Sequence, residues 1–375
     1  MDINTMLNNF YEDNVKMSRN ETSRNVSVVT PLVNDILQYV HERDKRFQIQ
    51  PLNVGSYYSH LKVSRADEFD YSVVLDVGSP FRWTSGTPAY YNFSENKEVV
   101  KTPIPLPSAP VGKCFTDIPG TIQHWNKERL NEGPACLTID DHIIPIRVKR
   151  RFKALVSEAI NRPDIRPYVD ARRLSESPAT TLIICHPHIV GDQISVDLTP
   201  LIKSHASFKS EFGWPRPGAR WPSRTKIEEI KAEGIHLVAK HPCYWSLSFV
   251  MCEKILIDGI DSNGTCRKKS QRIMKKLREM WCPKGTKQEL TSYHLKTIFF
   301  WECENHPFDS EWANDKTSER IGSMCYQIIE HIRCGNLPLY FYTGVNLLEN
   351  KDRHVLGQVV QNILRFLKNP EYYLL

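Results

Sequence analysis

Apolar residues recur at helical spacing behind Thr30-Pro31, at Val33, Ile36, Leu37 and Val40, and predict a helix. Thr30 reads as its cap, Pro31 as its first position, and Asp44-Lys45-Arg46 as its end. From Glu68 the period changes to two: Phe69, Tyr71, Val73, Leu75 and Val77 alternate with Glu68, Asp70, Ser72 and Asp76, the signature of a half-buried strand reached through a polar loop. Between Ser79 and Pro110 the chain is rich in Pro, Ser, Thr and aromatic residues, and its IPLPSAP stretch excludes a regular helix, so a surface excursion is expected. RVKRRFKALVSEAI is helical in pattern. TTLIIC and QISVDLT read as two strands joined by a turn at Gly191-Asp192.

After Gly213 the pattern turns helical and Trp-rich. EEIKAEGIHLVAK, FVMCEKILI, RKKSQRIMKKLREMW, SYHLKTIFFWECE, GSMCYQIIEHIR and VLGQVVQNILRFL are each predicted as helices, which places a lobe boundary near residues 206–213. There is no internal repeat.

Composition narrows the class. With 375 residues, 41% hydrophobic and 25% charged, the chain has the make-up of a two-lobed globular protein with a sizeable core. Mean hydropathy is −0.42, and no apolar run approaches the ~18 residues of a membrane span. The opening MDINTMLNNFYED is acidic where a secretory leader is basic and then apolar, so a cytoplasmic protein is expected. Its ten cysteines lack a C-x-x-C pair and are expected as reduced thiols. The four N-x-S/T sequons, which matter only in a secreted chain, carry no weight here. A net charge of +6 is mild and does not by itself announce a nucleic-acid partner.

The informative chemistry is acidic. Period-two alternation puts Glu68 and Asp70 together on the accessible face of one strand, and puts Asp197 opposite Ile194, Val196 and Leu198 on a second. Carboxylates side by side repel, and a fold tolerates them most readily when cations sit between them. Three acids on one sheet can hold two Mg²⁺. Upstream, Gly55-Ser56 precedes Glu68 in the order G-S-x11-E-x-D; the glycine allows close approach of a phosphate and the serine offers a hydroxyl donor. Taken singly, a Gly-Ser turn is usually a turn and an E-x-D a solvated face. The order and the third acid favour catalysis.

The run GSYYSHLKVSRADEFDYSVVLDV, the strand QISVDLT, WSLSF, the WPRPGARWP stretch and SYHLKT with its following ECENHP resemble, in the same order over nearly the whole chain, cyclic GMP-AMP synthase and its invertebrate cGAS-like receptor relatives in the Mab-21 superfamily. The resemblance implies an α+β, bilobed nucleotidyltransferase core with a mixed β-sheet and a long N-terminal helix over residues 1–210, plus a helical lobe over 211–375. It implies metal-binding catalytic acids at Glu68, Asp70 and Asp197, with Mg²⁺ or Mn²⁺ and NTP substrates such as ATP or GTP. Gly55 and Ser56 would hold phosphate, Lys275 and Ser292 would lie near the donor triphosphate, and Tyr293 would stack on a base. Asp197 would help deprotonate the attacking ribose hydroxyl.

Departures from the family pattern are informative. The insertion that carries a zinc-binding thumb in the mammalian DNA sensor keeps only Cys266, and one thiol cannot make a tetrahedral site, so no structural zinc is expected. Cys185, His186 and His188 read as ordinary hairpin residues. Ser246 stands where the mammalian synthase has a base-reading arginine, and Val54 where it has a threonine, which leaves the product open.

Charge is concentrated in RVKRRFK, with Arg150, Arg151 and Lys153, and in RKKSQRIMKKLR, with Arg267, Lys268 and Lys269. Such blocks track phosphates, and they also occur as solvated faces of amphipathic helices; in the second, Ile273, Leu277, Met280 and Trp281 form the expected inward stripe. With the resemblance, they imply a double-stranded RNA activator, or DNA, and a cyclic dinucleotide product read by a downstream receptor in antiviral defence. Two other readings stand beside it: a non-catalytic Mab-21-like scaffold, and a synthase of linear oligonucleotides.

Overall fold

The computed structural model describes residues 2–77, 82–84, 113–117, 136–139, 142–171, 179–206, 208, 210–240, 242 and 245–374. Most of the expected Ser79–Pro110 excursion lies outside them.

The architecture is α+β, as the sequence implies. Helix α1 (Ile3–Phe10) is capped by Asp2, and α2 (Arg19–Arg43) by Ser18, whose side chain accepts the Glu21 N–H. The α2 helix therefore begins well before Thr30. Its buried stripe extends back through Val29 to Asn25, and Pro31 lies inside it on the exposed side, where water can take the carbonyl that a proline cannot serve. It ends where expected, at Asp44, whose carboxylate pairs with Arg46 at 2.6 Å and Arg151 at 3.1 Å.

The sheet runs through β1 (Leu52–Val54), β2 (Glu68–Val74), β3 (Arg82–Thr84), β4 (Lys113–Asp117), β5 (Thr138–Ile139), β6 (His142–Ile143), β7 (Val169–Ala171), β8 (Thr180–Ile184), β9 (Ile194–Ala206), β10 (Ile235–Val238) and β11 (Trp245–Ser248). Strand β9 is its spine. It runs parallel to β2, pairs antiparallel with β8 through the predicted hairpin, and farther along pairs with β10. One face packs on α2 and α4 (Pro145–Ile160) through Phe69, Tyr71, Val73, Val196, Leu198, Val148 and Phe152. Short helix α3 (Gly55–Tyr58) follows β1 directly.

The segment EEIKAEGIHLVAK is a helix only as far as α5 (Arg224–Glu233). Gly234 at φ +76 then turns the chain, and IHLV becomes β10, buried at every position. Four consecutive buried residues fit a strand covered on both faces as well as a helix, which is why periodicity misread them. A boundary at 210 consequently cuts the sheet, because β10 and β11 lie beyond it and pair into it.

The second core is helical: α6 (Val250–Ile257), α7 (Arg267–Trp281), α8 (Ser292–Asn305), α9 (Thr317–Cys334), α10 (Arg353–Lys368) and α11 (Glu371–Leu374), with the two-stranded β12 (Pro338–Leu339) and β13 (Tyr342–Asn346). On α7 the inward residues are Ile273, Met274, Leu277 and Trp281, whereas Met280 is 40% exposed. Helix α1 packs here too, through Met6, Leu7 and Phe10. No helix of the described residues is long and apolar enough to cross a membrane.

Candidate active site

The parallel register of β2 and β9 places Asp70 directly beside Asp197, and Glu68 projects from the same face. Oxygens of Glu68, Asp70 and Asp197 lie within 4.8 Å of one another, the one group of metal-ligating side chains of that kind among the described residues. The sheet beneath is apolar: Val74, Leu201 and Val238 pack together on that face, so the acids sit at the edge of a dry floor.

This crowding has an electrostatic consequence. Burial, then the neighbouring Glu68 and Asp197 carboxylates, push Asp70 up to about 7. Three oxygen ligands with too little positive charge among them suit a hard divalent cation, and Mg²⁺ or Mn²⁺ fits this donor set. Thr181, opposite Asp197 in the β8–β9 register, donates its hydroxyl to Asp197 Oδ1 at 2.6 Å and fixes that carboxylate.

Gly55 has a more specific role than the sequence suggests. It stands at φ +79, and a Cβ there would lie 1.8 Å from Asp70 Oδ2 and 2.6 Å from Asp70 Cβ. The residue without a side chain makes room for the acid. Ser56 follows on α3 and lines the same cavity, about 510 Å³, whose other wall is the helical core.

From that wall come Lys275, Arg278 and Gln271 of α7, and Ser292, Tyr293 and Lys296 of α8. Helix α8 starts here because Thr291 and His294 form a capping box, leaving Ser292 and Tyr293 in its exposed first turn. Tyr293 is 36% exposed as a residue, and its hydroxyl is held protonated, far above its ordinary value, by burial and by the adjoining Glu253 carboxylate. Lys296 pairs with that same carboxylate and lies 5.3 Å from the Tyr293 ring centroid. Lys275 donates to the Leu61 carbonyl at 2.9 Å; burial, then repulsion from Lys62 and Lys296, lowers its ammonium to about 8.

Seven of the eight residues expected at the catalytic and nucleotide positions thus line one cavity, and the eighth, Asp197, adjoins it through Glu68 and Asp70. Sequence reading missed Lys62, Thr181, Glu253 and Lys296. Thr181 was accessible through the hairpin register and Lys296 through its i+3 spacing from Tyr293, whereas Lys62 and Glu253 are brought in by tertiary packing alone.

The basic blocks divide. Arg267 is only 2% exposed, pairs with Asp309 at 2.6 Å and lies over Trp312; it is a core residue and cannot meet a duplex. Lys269 is engaged by Asn8 and Tyr11, and Arg151 by Asp44. Lys275 and Arg278 face the cavity instead. Arg150, Lys153 and Lys268 are partly exposed.

Two family models match this chain: the Mab-21 protein nucleotidyltransferase domain over residues 57–259, and the Mab-21 protein HhH/H2TH-like domain over residues 266–365. The chain is 27% identical to Protein mab-21-like 3 of Danio rerio, with 98% of each chain covered. It is 26% identical to Protein mab-21-like 3 of Xenopus laevis over 93% of this chain and 91% of that one. The nucleotidyltransferase match ends just past α6, beyond β10 and β11, so it follows the sheet. With its acids, its sheet apart from β1, and its helical wall inside these matches, the chain belongs to the Mab-21 family of nucleotidyltransferase-domain proteins.

Proposed function

We propose that this protein is a divalent-cation-dependent nucleotidyltransferase that joins two nucleoside triphosphates into a cyclic dinucleotide. The supporting observation is the convergence of Glu68, Asp70 and Asp197 within 4.8 Å, with Glu68 and Asp70 lining a cavity that lysines and two arginines also line. Glu68, Asp70 and Asp197 would hold the cations, which when bound neutralise developing charge on phosphate and leaving pyrophosphate. Asp197, its Oδ1 fixed by Thr181, presents its other oxygen to the proton of an attacking ribose hydroxyl. Lys275, Ser56 and Ser292 bind and orient the triphosphate. Tyr293, which lines the cavity, would stack on a base, a contact worth ~1–3 kcal/mol in nucleic-acid systems.

For the activator we propose double-stranded RNA, with DNA as the alternative, met in the cytoplasm through Lys268, Arg150 and Lys153. Lys268 makes no ion pair among the described residues and acts electrostatically on His60, two residues after Tyr58 at the end of α3. A phosphate at Lys268 would therefore lie close to the segment that carries Ser56. The cyclic product would act through a downstream receptor.

The test is an incubation with Mn²⁺, labelled NTPs and either duplex RNA or DNA, for the wild-type chain and Asp197→Asn. A duplex-dependent, phosphatase-resistant product that disappears in Asp197→Asn is expected. A phosphatase-sensitive product indicates a linear oligonucleotide synthase, and no product under any ligand indicates a non-catalytic scaffold.

A further inference from the structure

The acid cluster carries its own cation. Lys62, on the loop between α3 and β2, reaches back with its ammonium 2.7 Å from Glu68 Oε2 and 3.1 Å from Asp67 Oδ1, and its side chain is only 11% exposed. It lines the same cavity as Ser56 and Lys275. The loop that delivers it is latched to α7: the Lys62 carbonyl accepts from Arg272 Nε at 3.1 Å, the Leu61 carbonyl from Lys275 Nζ at 2.9 Å, and Ser64 Oγ from Lys276 Nζ at 3.3 Å. Arg272 is itself tied to Val15 and Tyr11, so the loop has a fixed anchor.

We propose that Lys62 is a displaceable counter-ion: it neutralises Glu68 in the metal-free protein, gives up that carboxylate on metal loading, and transfers its ammonium to the polyphosphate chain of the incoming nucleotide. The proposal rests on the nucleotidyltransferase reading above and adds a residue which that reading does not use. The reason is electrostatic. An ammonium hydrogen-bonded to a ligand carboxylate cannot keep that place beside a divalent cation, because like charges a few ångströms apart in a half-buried cavity repel strongly. Lys62 has somewhere to go, since its long stem swings from a fixed backbone and the cavity it lines is where the phosphates of a bound nucleotide would add negative charge. In exchange, the lysine sets a threshold: the site resists a bare metal ion and favours a metal that arrives with nucleotide.

The exchange makes two predictions of opposite sign for Lys62→Met, which keeps the stem and removes the charge. Mn²⁺ alone, titrated by electron paramagnetic resonance without nucleotide, is expected to bind the variant about tenfold more tightly than the wild type, because the competing charge is gone. Mn²⁺·ATP, measured by calorimetry with the non-transferable α,β-methylene analogue, is expected to bind about tenfold more weakly, because a charge-assisted contact to phosphate is lost. Lys62→Arg, which keeps the charge, is expected to stay within a few-fold of wild type for bare Mn²⁺. Lys62→Met that binds Mn²⁺ no more tightly than wild type, or binds the analogue no more weakly, overturns the exchange. A lysine that merely positions Glu68 would weaken both together. A wild-type protein that takes no Mn²⁺ at all instead overturns the metal-dependent reading beneath it.

Discussion

Replacing Gly55 by alanine tests the geometry of the acid cluster through a single methyl group. Two costs arise. The backbone at φ +79 disfavours any L side chain by about 1–2 kcal/mol. The new Cβ also overlaps Asp70, at 1.8 Å from Oδ2 and 2.6 Å from Cβ, and relieving such overpacking costs about 1–3 kcal/mol. Gly55→Ala is therefore expected to lose about 2–5 kcal/mol in urea unfolding followed by tryptophan fluorescence. The three heavy atoms nearest the new Cβ all belong to Asp70, so the second cost centres on that side chain. In an Asp70→Gly background the overlap with that side chain is removed and the cost is expected to fall to the backbone's about 1–2 kcal/mol, a coupling of about 1–3 kcal/mol. Asp70→Ala should not give this relief, because its Cβ is already too close. Pushing the Asp70 carboxylate away from Glu68 and Asp197 is further expected to weaken Mn²⁺ binding by about tenfold or more. Equal losses from Gly55→Ala in the wild-type and Asp70→Gly backgrounds would refute the reasoning.

His294 predicts an acid-labile helical lobe. Burial, then Lys351, depresses the imidazole to about 4; its Nδ1 accepts the Thr291 N–H, and its Nε2 lies 3.1 Å from the Leu347 carbonyl, which a neutral ring can satisfy only with the proton on Nε2. The unfolded chain takes up a proton near pH 6.5 and the folded one does not, so this stability is complete above about pH 6.5 and falls as pH drops towards 4. Between pH 7 and 5 the loss attributable to His294 should be about 2 kcal/mol, and His294→Gln should remove that slope from urea curves taken at the two pH values. For the second basic block, Arg267→Met is expected to cost about 1–3 kcal/mol of stability while leaving the salt dependence of RNA-duplex binding unchanged. Under the proposed duplex binding, Lys268→Glu should leave the urea midpoint nearly unmoved and weaken the protein's affinity for the duplex, read by fluorescence anisotropy across a salt series.

What could be read in advance was what depends on local period. Alternation around Glu68 put two carboxylates on one face, and the Gly191-Asp192 turn brought Asp197's strand into a hairpin. The chain obeyed both because one face of each strand is core. The resemblance added the positions of Ser292 and Tyr293, which spacing alone could not separate from a buried helix. Failures cluster where burial is two-sided or where partners are distant. IHLV, buried at all four positions, has no period to read. Arg267 looks like the first residue of a basic stripe until Trp312 and Asp309 arrive from forty residues away. Pro31 looked like a helix start because proline favours that position, yet Ser18 supplied the stronger cap and the buried stripe back to Asn25 sustained the longer helix.

The placement of α1 bears on how the chain folds. Asn4 donates to the Asp315 carbonyl at 2.8 Å across 311 residues and accepts from the Ser318 N–H, while Met6, Leu7 and Phe10 lie in the helical core. That core therefore closes through contacts of very high sequence separation, which must overcome loop-closure entropy before they stabilise anything. The sheet and α2 share a core of their own and do not wait for it. Until α1 docks, its apolar stripe stays uncovered, so the helical wall of the cavity is completed by a segment from the far end of the chain order.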